Sequence, residues 1–161
     1  MRKIAIYPGT FDPITNGHID IIERGCKIFE KVIVAVAKAT NKECFFTLDE
    51  RIHLANISIK HINNAEVEGF DGLAVNFVKS KKSSIMIRGF RAVSDFEYEL
   101  QIAHANRTLC EDIETIFLTP KNKYLYLSSS LVKQIARLGG SIKEYVPDAV
   151  QDAIKNKMQK K

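Results

Sequence analysis

The sequence predicts an α/β fold: a single doubly wound domain over residues 1–161, with a mostly parallel sheet of five strands, helices on both faces and further helices at the C-terminus. Three observations carry this reading. Five short runs rich in Ile and Val have the composition of strands buried on both faces. Longer segments with apolar residues at helical spacing separate them, and a repeated strand-helix-strand order requires right-handed crossovers and parallel pairing. A chain of 161 residues, 45% apolar and 27% charged, is also long enough and ordinary enough in composition for one domain with a sizeable core. No repeat or low-complexity linker marks a boundary within it.

In chain order, the first strand is expected at 3–7, followed by Ile19, Ile22, Cys26 and Phe29 on one helical face. A second strand at 31–37 precedes Thr47 and Glu50, whose spacing is that of a capping box opening a helix with Ile52, Ala55 and Ile59 on its core face. A third strand at 65–70, a shorter helix over 73–81 and a fourth strand at 84–88 come next. Ser94 and Glu97 give a second capping box, and the helix it opens has Phe96, Leu100, Ala103 and the neighbouring Ile102 as its core face. After the fifth strand, at 114–118, Gly139-Gly140 stops one helix, and Pro147 beside Asp148 starts a last one through Val150 and Ile154.

Composition sets several functional classes aside. No apolar run approaches the roughly 20 residues of a membrane span and no secretory leader opens the chain, which predicts a cytoplasmic protein without a membrane partner. Cys26, Cys44 and Cys110 are odd in number and far apart, form no CxxC and share no zinc spacing with the histidines, so they read as reduced, buried thiols. His53, His61 and His104 fall on expected helices without acidic or cysteine neighbours at ligand spacing and read as structural. The formal net charge of +5 favours an anionic partner. Much of that charge lies in Lys79, Lys81 and Lys82 and in Lys155, Lys157, Lys160 and Lys161, runs that ordinarily make solvated faces. A nucleic-acid-binding module would predict affinity that falls steeply with salt, and it leaves the loops described next without a purpose.

Ligands of doubly wound sheets bind beyond the carboxyl ends of the strands, at the point where strand order reverses, so the loops after the first and fourth strands matter most. The first reads GTFDPITNGH, Gly9 to His18. Glycines let a phosphate approach the main chain, and the N–H groups of a helix start form an anion site. Neither a Walker A loop nor a GxGxxG turn is present. Thr15-Asn16-Gly17-His18 places an imidazole in the first helical turn, where the dipole disfavours a charge on it; alone it reads equally well as a structural cap. The second loop, IRGFRAVSDFEYE from Ile87 to Glu99, hangs Arg88 and Arg91 over the same strand end, for phosphate or for ion pairs with Asp95, Glu97 and Glu99. Glu97 and Glu99 are two apart and cannot share a helical face. The third stretch, YLYLSSSLVK from Tyr124 to Lys133, offers three serines where a helix cap needs one.

Together YPGTFDPITNGHIDII at 7–22, IRGFRAVSDFEYE at 87–99 and SSSLVK at 128–133 resemble the bacterial phosphopantetheine adenylyltransferases, over nearly the whole chain in length, order and spacing. The TxGH and serine-rich motifs belong to the wider nucleotidyltransferase superfamily and mark the reaction class, while the arginine segment points to this acceptor. One motif departs from the superfamily: where it commonly reads ISSTxxR, this chain has Leu127, Ser130 and Lys133, and either Lys133 or Arg137 is left to stand for the missing arginine.

The resemblance implies a Rossmann-like nucleotidyltransferase fold and transfer of the adenylyl group of ATP to 4′-phosphopantetheine, giving dephospho-coenzyme A and pyrophosphate. His18 would contact the α-phosphate and stabilise the five-coordinate transition state. Thr10 would orient the incoming phosphate and Lys42 bind it, with Arg91 among the catalytic cations. Arg88 and Ala74 would line the acceptor site. Phe11, Gly89, Phe90, Arg91, Glu99, Tyr124, Leu125, Tyr126, Leu127, Ser128, Ser129 and Ser130 would join Thr10 and His18 in holding ATP. Taken by themselves, Lys42 reads as a surface lysine and Ala74 as helix packing. Mg²⁺ is expected with ATP, held mainly by the substrate's phosphates rather than by a protein cage. The family also implies a homo-oligomer, typically a hexamer, with coenzyme A as a feedback inhibitor. Because the attacking group is a phosphate monoester that is already an anion, the chemistry needs positioning and charge stabilisation above all. The same fold with another phosphorylated acceptor, nicotinamide mononucleotide or a polyol phosphate, is the alternative enzyme reading.

Overall fold

The computed structural model describes residues 3–38, 43–90 and 93–159, the side chains of 93 and 94 excepted. Five strands, β1 (Ile4–Gly9), β2 (Lys31–Ala37), β3 (Ala65–Phe70), β4 (Ile85–Gly89) and β5 (Glu114–Leu118), form one parallel sheet in the order β3-β2-β1-β4-β5. The connecting helices are α1 (Asn16–Ile28), α2 (Leu48–Ser58), α3 (Ala74–Ser80), α4 (Val93–Leu109), α5 (Ser129–Arg137) and α6 (Asp148–Gln159), with a 3₁₀ turn at Asn122–Tyr124. This is the α/β class and the five-stranded parallel sheet expected from the sequence. The first and fourth strands each end later than expected, taking in Pro8-Gly9 and Gly89.

Alternation along the strands divides the core in two, because successive side chains point to opposite faces. Ala5, Tyr7, Val32, Val34, Val36, Ile85 and Ile87 face one way and pack against Ile19 and Ile22 of α1, Leu54 and Ala55 of α2, Val132 of α5 and Val150 and Ile154 of α6. Ile6, Ile33, Ala35 and Met86 face the other way, against Val75 and Val78 of α3 and against Cys110 and Ile113 beyond α4. Each fully buried aliphatic side chain contributes about 1.5–3 kcal/mol over its exposed state. Burial on both faces holds for β1 and β2 in the middle of the sheet, whereas the edge strands β3 and β5 are only partly covered.

The helices show which local signals were sufficient. Thr47 and Glu50 form the expected capping box, each bonded to the other's backbone N–H. The buried face of α2 includes Ala55, but it is completed by Arg51, Leu54 and Ser58, with Ile52 only half-buried and Ile59 buried at the C-cap. In α4 the expected core face is not a core face within this chain: Phe96 and Leu100 are exposed, and Ile102 and Ala103 are half-buried. The Ser94–Glu97 cap lies outside the described side chains. Gly139, at φ +77°, ends α5 as expected, its N–H and that of Gly140 turning back to the carbonyls of Ala136 and Ile135.

Two smaller expectations are corrected. The three thiols are free, but only Cys110 is buried; Cys26 and Cys44 are half-exposed. His61 lies in the turn after α2 rather than on a helix, and its Nε2 is 3.0 Å from Glu23 Oε1. Among the described residues no helix is long and apolar enough to cross a membrane.

Candidate active site

Strand order reverses between β1 and β4, so the loops leaving their carboxyl ends part to opposite faces and open a crevice. A cavity of about 280 Å³ lies there. Its walls are the ends of β1 and β4 (Pro8, Gly9, Arg88 and Gly89), Phe11, the first turn of α1, Glu99 of α4, and Tyr124 with Leu127, Ser128, Ser129 and Ser130 at the start of α5. The first turns of α1 and α5 carry no acidic residue, leaving the positive ends of both dipoles uncompensated by carboxylates at one cavity.

His18 is the third residue of α1 and closes a capping box with Thr15. Its Nδ1 accepts the Thr15 backbone N–H at 3.0 Å and lies 3.0 Å from Thr15 Oγ1. An imidazole nitrogen that accepts an N–H carries no proton, so the neutral ring has its proton on Nε2. One nitrogen thus caps the helix, and the residue lines the cavity, with the opposite edge of the ring left as a hydrogen-bond donor. Phe11 fixes the ring from the side, edge-on at 5.1 Å between centroids. Phe11 is a non-glycine residue at φ 49°, a left-handed conformation that turns its buried ring beneath the loop. Gly9 makes room for that ring, since a Cβ there would lie 3.0 Å from it. Gly9 nevertheless lines the cavity beside Phe11.

Arg88 is held in a fork. Its Nε and Nη2 donate to the two carboxylate oxygens of Glu99 at 2.6 and 2.7 Å, and Nη1 donates to the Pro8 carbonyl at 3.0 Å. Burial works against its charge, but the bidentate Glu99 outweighs burial and raises the guanidinium above its ordinary range. The residue expected at the acceptor and one expected at ATP are therefore one ion pair. Gly89 lies close to Tyr7 and Ile21, whose side chains also line the cavity.

The three serines divide the work. Ser128 caps α5 by accepting the Leu131 N–H at 3.1 Å, Ser129 Oγ donates to the Pro13 carbonyl at 2.8 Å and so ties α5 to the first loop, and Ser130 lines the cavity. Of the other expected residues, Thr10, Ala74, Phe90, Leu125 and Tyr126 do not line it. Thr10 is exposed between two lining residues, Tyr126 is 79% exposed, and Ala74 packs beside the second core cluster, as helix packing alone requires. Lys42 and Arg91 lie outside the described residues. Tyr7, Pro8, Ile21 and Pro120 line the cavity although sequence patterns single none of them out. Among the described residues no group of three or more His, Cys, Asp or Glu side chains could hold a metal, and the nearby carboxylates are engaged: Glu99 with Arg88, and Asp12 with Lys133 and two backbone N–H groups.

The cytidylyltransferase-like family matches residues 6–135. A phosphopantetheine adenylyltransferase from Thermodesulfovibrio yellowstonii is 56% identical over 161 residues, covering 99% of this chain and 100% of the relative. The chain belongs to the phosphopantetheine adenylyltransferases. A second member of that family, from Trichodesmium erythraeum, is 56% identical over 91% of this chain and 88% of its own length. Among solved structures, a Plasmodium falciparum nicotinic acid mononucleotide adenylyltransferase complexed with NaAD superposes with a TM-score of 0.72 over 97% of this chain and 96% of that one. At 14% identity that likeness speaks for the fold alone, a Rossmann-like parallel sheet. In this member of the phosphopantetheine adenylyltransferases, two helix starts and a histidine donor stand on one wall of the cavity and an arginine fork on the other.

Proposed function

We propose that the chain transfers the adenylyl group of ATP to 4′-phosphopantetheine, giving dephospho-coenzyme A and pyrophosphate. The observation that carries this reading is the convergence of the His18 Nε2 edge, the starts of α1 and α5 and the Arg88 fork on one cavity at the sheet's switch point. An oxygen of the acceptor's phosphate attacks the α-phosphorus of ATP, a P–O bond forms, and the bond to the β-phosphate bridging oxygen breaks in line with it. Pyrophosphate leaves with that electron pair. His18 donates its Nε2 proton as a hydrogen bond to an α-phosphate oxygen, whose charge grows in the five-coordinate transition state. The starts of α1 and α5 add backbone N–H donors for the polyphosphate, with Ser130 beside them.

Arg88, Lys42 and Arg91 offset the repulsion between the two anions. Thr10 orients the attacking phosphate, and any contact from Ala74 would come from its backbone, since its side chain packs into the fold. Phe11 packs edge-on against His18, and Glu99 meets the nucleotide only through, or beside, its bond to Arg88. Gly89, Tyr124 and the 127–130 stretch complete the nucleotide wall of the cavity, and any contact from Phe90, Leu125 or Tyr126 would come from beyond it. With Glu99 and Asp12 engaged by cations, Mg²⁺ would be held mainly by the phosphates of ATP and would supply charge neutralisation there. We further propose a cytoplasmic homo-oligomer, a hexamer by family, inhibited by coenzyme A. The exposed apolar residues of α4, Phe96, Tyr98, Leu100 and Leu109, support assembly.

The deciding experiment is pyrophosphate release by purified protein with ATP, Mg²⁺ and 4′-phosphopantetheine, with nicotinamide mononucleotide as the competing acceptor. Turnover with the first acceptor alone is expected. Folded, ATP-binding protein that releases no pyrophosphate with it would overturn the acceptor assignment.

A further inference from the structure

One residue of the cavity wall cannot be fastened through its own backbone nitrogen. Pro120, buried and lining the cavity, has no N–H to donate, so its place depends on the peptide groups on either side of it. Both are held from α1. Arg24 Nη1 donates to the Thr119 carbonyl at 2.8 Å, and the Lys121 N–H donates to Asp20 Oδ2 at 3.0 Å. Lys121 Nζ, 3.0 Å from Oδ1, completes the carboxylate. Asp20 and Arg24 are four positions apart on one face of the helix, so they bracket Pro120 from successive turns. Asp20 is 3% exposed, and a carboxylate at that depth is costly unless it is paired. What pairs with it is the loop beside the cavity.

The grip extends along the chain. The Lys121 carbonyl accepts the Tyr124 N–H at 2.8 Å, and the Tyr124 carbonyl accepts the Leu127 N–H at 3.0 Å, so the 3₁₀ turn hangs from the bracketed loop and carries two further lining residues to the cavity. Helix α1 thus presents His18 from its first turn and, from its next two, fixes the loop that lines the same cavity. We infer that Asp20 and Arg24 are positioning residues for adenylyl transfer, holding the loop after β5 in register with His18 so that one bound nucleotide meets both. The inference rests on the proposed assignment of Tyr124 and the 127–130 stretch to the nucleotide.

The test is calorimetric binding of ATP and of 4′-phosphopantetheine to wild type, Asp20→Ala, Asp20→Asn and Arg24→Met, each also made in a Pro120→Ala/Tyr124→Ala background, with folding checked by circular dichroism. Asp20→Ala is expected to weaken ATP about tenfold. Asp20→Asn and Arg24→Met are expected to weaken it about threefold, since asparagine keeps an acceptor for the Lys121 N–H without the charge and methionine keeps the arginine's stem without its donors. The acceptor is expected to weaken less than about twofold in each. In the background that lacks the two side chains through which the loop lines the cavity, the same substitutions are expected to change ATP affinity less than about twofold, because their effect passes through that loop. A merely structural role would weaken both ligands alike, or act equally in both backgrounds, and either result overturns the inference. If Asp20→Ala does not fold, Asp20→Asn and Arg24→Met decide on the same criteria. Wild type that does not bind ATP overturns the functional reading and the bracket with it; wild type that binds ATP while folded Asp20→Asn and Arg24→Met leave its affinity unchanged overturns the bracket alone.

Discussion

His18 and Arg88 are each held by a neighbour that decides what they can do. With Nδ1 accepting from Thr15, the imidazole offers its other nitrogen to the cavity as a donor, and under the proposed reaction His18→Ala should lower kcat about 10²–10³-fold while ATP binding changes little, measured by pyrophosphate release. Arg88→Lys keeps the charge but loses the planar fork that Glu99 grips from two sides. We expect the KM for the acceptor to rise about tenfold with a smaller change in kcat, read from steady-state kinetics. Both residues were legible in the sequence because each sits in a loop whose composition exceeds what a turn requires. Asp20 and Arg24 were not. An aspartate and an arginine four apart on a helix read as a solvent-facing ion pair. Only hydrogen bonds across 95 to 101 positions of sequence distinguish them.

Helix caps were the most legible features at the level of elements, because their physics is contained in four consecutive residues. In α2 the box is reinforced from outside: Lys157 of α6 bonds Glu50 and, with smaller help from the Thr47 backbone N–H, holds the carboxyl below its ordinary value of 4.5. A carboxylate depressed in the folded state stabilises the fold fully above its unfolded value and loses that contribution as pH falls through the depressed one. Glu50→Gln should therefore lower Tm at pH 7, and the gap to wild type should narrow as melts are taken below pH 4.5. Thr47→Ala should cost about 1 kcal/mol, roughly 2–4 °C in a chain of this length. The face of α2 was less legible, since it buries Arg51 and Ser58 in place of a plain apolar stripe. For α4, apolar periodicity predicted a core face, but Phe96 and Leu100 are exposed within this chain.

On the scale of the whole molecule, the two faces of the sheet are unequal. α1, α2, α5 and α6 bury a large cluster on one, while α3 and the turn after α4 cover the other with a smaller one, leaving Phe96, Tyr98, Leu100 and Leu109 in solvent. If copies meet there, Leu100→Asp with Leu109→Asp should shift the protein to lower mass in size-exclusion chromatography with light scattering, with its circular dichroism intact. Parallel pairing and a site beyond the first and fourth strands followed from the alternation of elements, but the strand order is not written in it, and the cavity's actual walls depended on register and on the left-handed turn at Phe11, which no periodicity encodes. The capping box of α1 has one more consequence, for selectivity. The histidine's basic nitrogen is occupied by a main-chain N–H, and the carboxylates of Asp12 and Glu99 are bonded to cations, so none of these three groups is placed to receive a proton from an incoming nucleophile. An acceptor must arrive already deprotonated. Pantetheine, which ends in a hydroxyl instead of a phosphate, should fit much of the same groove and still go unadenylylated, excluded by what the site declines to take away.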